Sequence, residues 1–296
     1  MYLTLSATDI ADDERLRAAL AGIGGEGPGV SINAQPEKTC TLSGNSKSHL
    51  ESICDRLRGE YHCAVDVSPI KAVLLETIRK ESEAEGKYIR QIGGSGNYGH
   101  CKLRIEPNQP GKGYEFINNI KGGVVPKEYF KPIDEGIQGA MEQGILFGFP
   151  IVDVRVTLYA GSSHEVDSNE MAFRFAGSMA FKDAARRACP IVIEPVMAVE
   201  IGVPEKLGPT IRREVYGHRG STERQRIVDG LCEIRAIVPL SELLESATRV
   251  LAQFPMEFAG YEAVSDHGPS TDSGTGVTAN KPNYPRPPGI RDSHIS

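Results

Sequence analysis

Residues 86–107 read GKYIRQIGGSGNYGHCKLRIEP, and the middle of the chain is interpreted from this stretch. KYIRQIG and HCKLRIE read as strands. Between them, Ile92-Gly-Gly-Ser-Gly-Asn-Tyr-Gly-His100 holds four glycines, the composition of a flexible hairpin loop. The same glycines could bare backbone N–H groups to a phosphate or an RNA backbone. Two nucleotide-binding readings fail. No Gly-Lys-Ser/Thr follows, so this is not a P-loop, and the next element is a strand where a dinucleotide fingerprint needs a helix.

Outward from this hairpin, IVDVRVTLYA at 151–160 reads as a further strand, with helices expected over residues 133–144 and 168–188. Pro132 suits the first helical position of the former, and Asp167-Ser-Asn-Glu170 has the form of a capping box opening the latter. Just before it, Gly161-Ser-Ser-His-Glu-Val-Asp167 sets His164 beside Glu165. That pair suits acid–base work or a metal, yet H-E-x-x-H fails because Ser168 stands at the second histidine position. On residue type alone, an exposed loop histidine with no task is the simpler reading, although a helix N-terminus attracts anions. Met171, Phe175 and Met179 recur at i, i+4 and i+8, which reads as core packing. Glu81, Glu83 and Glu85, between Lys80 and Lys87, read as a solvated connector. No G-x-S-x-G and no Cys/His spacing of a thiol hydrolase occurs, so no catalytic engine is visible.

The flanks alternate strands and helices. YLTLSA is a strand, and Thr8-Asp9 cap a helix with Leu16, Ala19, Leu20 and Ile23 on one face. VSINA and KTCTLS follow as strands, then a helix from Asn45 or Ser46 with Leu50, Ile53, Cys54 and Leu57 on its stripe, then the strand CAVDVS. This β-α-β-β-α-β order is the ferredoxin-like split. Residues 190–264 repeat it: strand IVIEPVMAVEIGV, helix LGPTIRREVYG, strands RIVDG and LCEIRAIVP, a helix over 240–252 with Leu243, Leu244, Ala247 and Leu251 on one face, and strand MEFAGYEAV. Residues 266–296 are rich in Pro, Gly, Ser and Thr and poor in apolar side chains, so they are expected to be a disordered tail. There YPRPP is either a polyproline ligand or a plain spacer. The expected domains are 1–70, 71–189 and 190–265, followed by that tail.

Composition bounds the function. The 296 residues are 40% hydrophobic and 24% charged, which suits globular packing in two or three domains. No run of 18 apolar residues and no signal peptide is visible, so a cytoplasmic protein without a membrane span is expected. The net charge is −6, but residues 71–189 carry 16 Lys+Arg against 15 Asp+Glu. Any nucleic-acid contact should therefore come from placed residues of the middle third, not from a basic coat. Six cysteines without a C-x-x-C imply reduced, mostly buried thiols and no structural zinc.

The quoted stretch, with residues 113–188 (GYEFINNIKGGVVPKEYFKPIDEGIQGAMEQGILFGFPIVDVRVTLYAGSSHEVDSNEMAFRFAGSMAFKDAARRA), resembles domain IV of translation elongation factor G. ETIRK at 76–80 extends the likeness across the domain III–IV junction, and the flanks resemble domains III and V. The resemblance implies an α+β protein in which two ferredoxin-like domains flank a ribosomal protein S5 domain 2-like arm, with a left-handed crossover in that arm. It also implies a function: the arm's tip contacts the tRNA–mRNA pair in the ribosomal decoding site during translocation. On that likeness the RNA-facing residues are Gly93, Gly94, Ser95, Gly96, Asn97, Tyr98, His100, Ser162, His164 and Glu165. Asn97 stands where many relatives have Gln and Ser95 where many have Arg, which removes a charge-assisted phosphate contact.

The family's GTP-binding and barrel domains have no counterpart in this sequence. The chain is thus expected to be no enzyme and to need no cofactor, GTP acting only through a GTPase half on the same or another polypeptide. Of a family motif in domain III, His49, Leu50 and Glu51 are retained within Asn45-Ser-Lys-Ser-His49-Leu-Glu51. In domain V, His218-Arg219-Gly220 replaces Arg-Arg-Gly, and LSELLESATRVLAQF runs into Met256-Glu-Phe258 without a Gln-Gly-Arg-Gly stretch. These losses favour a divergent, free-standing relative over an excised fragment. The expected partner is the ribosome, bound by a monomer; the alternative is a regulatory or decoy ribosome-binding module without a GTPase.

Overall fold

The computed structural model describes residues 1–7, 10–24, 30–34, 39–44, 47–92, 95–245, 251 and 254–264. The proposed tail, the Thr8-Asp9 cap, the Asn45/Ser46 helix start and residues 246–250 of the last helix lie outside the described residues. Among the described residues the chain divides into two compact units, Met1–Val73 with Glu194–Gly260, and Leu74–Ile193 with residues 261–264.

In the first unit, β1 (Tyr2–Ala7), α1 (Ile10–Gly24), β2 (Val30–Ala34), β3 (Thr39–Gly44), α2 (Lys47–Gly59) and β4 (Val65–Val67) form an antiparallel sheet in the order β2-β3-β1-β4. Alternating Leu3 and Leu5 of β1 bury against Leu16 and Leu20 of α1 and Leu50 and Leu57 of α2, so the period-2 and period-3.6 stripes meet in one core.

In the second unit, β5 (Leu75–Ile78) precedes β6 (Ser82–Ile92), β7 (Ser95–Pro107), β8 (Glu115–Asn118), α3 (Phe130–Gln143), β9 (Val154–Ser162) and α4 (Glu170–Arg187). The sheet order is β6-β7-β9-β8, antiparallel except for the parallel β8–β9 pair. Cys101, Leu103 and Ile105 of β7 and Val154, Val156 and Leu158 of β9 pack on Ile133 and Ile137 of α3 and Phe173, Ala180 and Phe181 of α4.

β10 (Pro190–Pro204) starts in this unit, where residues 190–193 pair with β5. Its later residues pair with β12 in the first unit. There α5 (Gly208–Gly217), β11 (Ser221–Val228), β12 (Leu231–Pro239), α6 (Leu240–Glu245) and β13 (Met256–Ala263) complete the order β11-β12-β10-β13, the same split as in residues 1–70. Asp229 and Gly230, both at positive φ, make the two-residue turn that fits a twisted hairpin. The protein is α+β, as the element pattern implies. No helix among the described residues is long and apolar enough to cross a membrane.

Several local expectations are corrected. The run from Ser82 is not a connector but the start of β6, where Glu83 and Glu85 pair with Arg104 and Lys102 of β7. Cross-strand charge pairing makes a strand of a segment whose composition reads as solvated. From Ser95 on, the glycine-rich segment is strand and not loop, while Gly93 and Gly94 lie outside the described residues. β7 begins at Ser95, Ile92 pairs with Ser95, and Asn97, Tyr98 and His100 are strand residues. Pro132 is the third residue of α3, not the first, tolerated because the first-turn N–H groups have no intrahelical acceptor. Asn169, not Asp167, caps α4 by accepting the Ala172 N–H at 2.9 Å. Met171, Phe175 and Met179 are not core; they are exposed on α4. β5 and β8, four residues each, were not expected from the pattern at all.

Candidate nucleic-acid interface

The two segments singled out in the sequence come together because β7 and β9 are paired neighbours. Their register sets His100 opposite Ser162. Beyond Ser162 the chain leaves the sheet, passes through His164, Glu165 and Val166, and returns to β7 just before α4. The Tyr98 N–H donates to the Asp167 carbonyl at 2.7 Å, and the Gly96 N–H donates to Asp167 Oδ1 at 3.2 Å. Asn169 Nδ2 donates to Asn97 Oδ1 at 2.8 Å. The loop closes on itself where the His164 N–H donates to Ser168 Oγ at 2.9 Å and the Ser168 N–H to the His164 carbonyl at 3.2 Å. Tyr129 Oη holds the Ser168 carbonyl at 3.2 Å.

On this clamp sits a polar and aromatic cluster. Ser162 Oγ lies 2.7 Å from Tyr98 Oη and 2.8 Å from His100 Nδ1. The Tyr98 ring lies against the His164 ring, with centroids 4.1 Å apart. His100 Nε2 is 3.6 Å from Glu85, whose carboxylate also takes Lys102 Nζ at 3.1 Å. Hydrogen bonding to Lys102, more than to His100, holds Glu85 below the usual carboxylate range. His164 and Glu165 are exposed, and Val166 at 92% is the barest apolar side chain of the group. A third loop joins them, since Ser163 Oγ donates to the Val124 carbonyl at 3.4 Å.

The glycines serve this assembly in a way the sequence reading did not foresee. A Cβ at Gly99 would overlap the Ala172 backbone, and one at Gly86 the Ala176 carbonyl. Both let α4 lie directly on β6 and β7, so they serve helix–sheet approach and not a bound phosphate. Gly96 spends its N–H on Asp167.

Of the ten proposed RNA-facing residues, His100, Ser162, Tyr98 and His164 are linked in that order by successive contacts, with Glu165 following His164 in the chain. Asn97 lies on the other face of β7, engaged by the α4 cap. Gly93, Gly94 and the Ser95 side chain are outside the described residues. The sequence reading missed Asp167, Ser168 and Asn169 as the clamp. The D-S-N-E string was visible, but its partners lie some 70 residues away and only β7–β9 pairing reveals them. It also missed the 119–125 loop, whose only signal was Gly122-Gly123.

In the first unit, His49 and Glu51 are exposed on α2 while Leu50 is buried. Arg219 is turned inward, with φ +54°. Its guanidinium reaches Glu194 and Glu242 at 2.6 Å each and Ser241 at 3.0 Å. The departure from the family motif therefore leaves an arginine committed to internal ion pairs around a buried glutamate.

A family model described as elongation factor G, domain IV, matches residues 72–189, and one described as elongation factor G C-terminus matches residues 191–271. The protein is translation elongation factor-like. More closely, it is similar to the C-terminal half of elongation factor G, with a domain IV-like and a C-terminal-domain-like region. A crystal structure of a protein from Thermus thermophilus matches it at 33% identity with a TM-score of 0.71. That match covers 90% of this chain and 41% of the other, so the chain spans under half the length of this relative.

Proposed function

We propose that the protein binds the ribosome and that the tip of its domain IV-like unit contacts the tRNA–mRNA pair in the decoding site during translocation. The observation that carries this reading is the Tyr98–His100–Ser162–His164 cluster, assembled from both tip segments and set beside the exposed Glu165. Stacking rings, hydroxyls and imidazoles are suited to bases and phosphates that are held in place while no bond is made or broken. On this reading the chain is not itself an enzyme, uses no cofactor, and works as a cytoplasmic monomer. GTP would enter through a GTPase half on the same or another polypeptide.

The test is co-sedimentation with ribosomes and separated subunits over a salt series, comparing the wild type with His164→Ala. Saturable binding that weakens steeply with salt, and that the variant loses, supports the assignment. Absence of binding at low salt overturns it. Adding a GTPase half in trans then separates the two roles. Translocation restored by GTP supports the elongation role, whereas GTP-insensitive binding without translocation assigns the decoy role.

A further inference from the structure

The apolar row on α4 takes no part in the tip. Met171, Phe175 and Met179 are 64%, 46% and 48% exposed, each one turn from the next. The Phe175 ring stacks on Tyr88 of β6 with centroids 4.9 Å apart, which places the row over β6. That strand is the outer one of its sheet, and its 11 residues pair only with β7 among the described residues. An open edge of this length is normally covered or blunted by charge. On the face toward α4, however, β6 carries Ala84, Gly86 and Tyr88, while Glu83, Glu85 and Lys87 alternate to the opposite face.

Basic residues bracket the row. Arg90, two residues beyond Tyr88, is exposed on the α4 side. At the other end stand Arg186, on the helix face that continues the row, and Lys80, whose N–H bonds the Ala188 carbonyl just past α4.

We infer that the β6 edge beneath Met171, Phe175 and Met179 receives an extended acidic–apolar segment of a partner protein as an added strand. Its backbone pairs with β6 and its alternate apolar side chains rest on the row. The row spans about 12 Å along the helix, roughly four residue rises of a strand, the distance from the first to the third of three alternating apolar side chains. Acidic residues on either side of them meet Arg90 and the Arg186–Lys80 end. A nucleic-acid strand offers no alternating N–H and C=O groups and leaves the edge unpaired.

The test uses the full chain and a fluorescein-labelled peptide, Asp-Thr-Ile-Thr-Val-Thr-Ile-Thr-Asp, whose acids and apolar residues share one face, followed by anisotropy and by hydrogen exchange of the 82–92 amides. Expected are saturable binding with slowed exchange in β6, and at least about tenfold weaker binding in Phe175→Glu. Loss is also expected when the peptide's central amides are N-methylated or its ends are changed to Lys. Met179→Glu gives the same reading should Phe175→Glu fold poorly. No slowing of β6 exchange at about 1 mM peptide, the weak end of specific recognition, overturns the inference. So does protection that persists in both variants, or protection produced by an oligouridylate in place of the peptide.

Discussion

The two ends of the domain IV-like sheet are each organised around a carboxylate, and they use it in opposite ways. At the end near β5, Glu76 is fully buried and accepts the N–H groups of five successive residues, Ile145, Leu146, Phe147, Gly148 and Phe149, at 2.6–3.2 Å. Its neighbour Thr77 donates to the Val152 carbonyl at 2.9 Å, and the Glu76 N–H donates to the Pro150 carbonyl. At the tip, the half-buried Asp167 takes one backbone N–H with its side chain and one with its carbonyl. His164, Glu165 and Val166 are left in solvent. Five dipoles converging on one buried charge make a rigid anchor, because every amide would be orphaned without it. Two bonds at a surface hold a loop in register and leave its side chains for a partner. Binding surfaces come from the less stable parts of a structure for this reason.

The largest expected effect breaks the anchor. Glu76→Gln removes the charge that five amides solvate and should cost about 3–5 kcal/mol in urea unfolding. A loss below about 1 kcal/mol would show that the anchor and the tip are not different in kind. Next comes the close approach that mounts the tip on its helix. Gly99→Ala must displace the Ala172 backbone, and about 1–3 kcal/mol of lost stability is expected from the same measurement. Asn169→Ala removes the α4 cap and the bond to Asn97 together, for about 1 kcal/mol. Its readout is exchange of the first-turn amides of α4, which should quicken while those near Glu76 do not. The smallest expected change in stability is that of His164→Ala, within about 0.5 kcal/mol, because the residue is exposed, its hydrogen bonds to Ser168 are made by its backbone, and its ring touches only the Tyr98 ring of the cluster. Ribosome retention should nonetheless fall in that variant. A matching loss of stability would make His164 part of the clamp and not of the contact surface.

The contrast between the ends was unevenly legible in the sequence. The tip segments stood out through glycine density and through a histidine before a helix, both local signals. Glu76 sat inside LETI with nothing to distinguish it, since its five partners lie some 70 residues away. Helix stripes were legible where they met a sheet: Leu16 and Leu20, or Ile133 and Ile137, face cores as their spacing implies. The stripe of Met171, Phe175 and Met179 has the same periodicity and faces solvent. Periodicity tells which residues share a face and not whether anything covers that face. α4 already satisfies the sheet with Phe173, Ala176, Ala180 and Phe181.

By itself the sequence determined the order of the elements other than β5 and β8 and the twofold use of a β-α-β-β-α-β split, because each rests on neighbouring residues whose spacing imposes strand or helix; the likeness to elongation factor G came from the matching stretches themselves. Only the tertiary structure decided which carboxylate anchors and which clamps, that Asn97 serves a helix cap while Tyr98 and His100 share a face with Ser162, and that β6 is left with an open edge. Those outcomes depend on strand register and on which element reaches the sheet first. Register is a collective property of paired chains, and a shift of one residue would exchange every one of these side chains between the two faces.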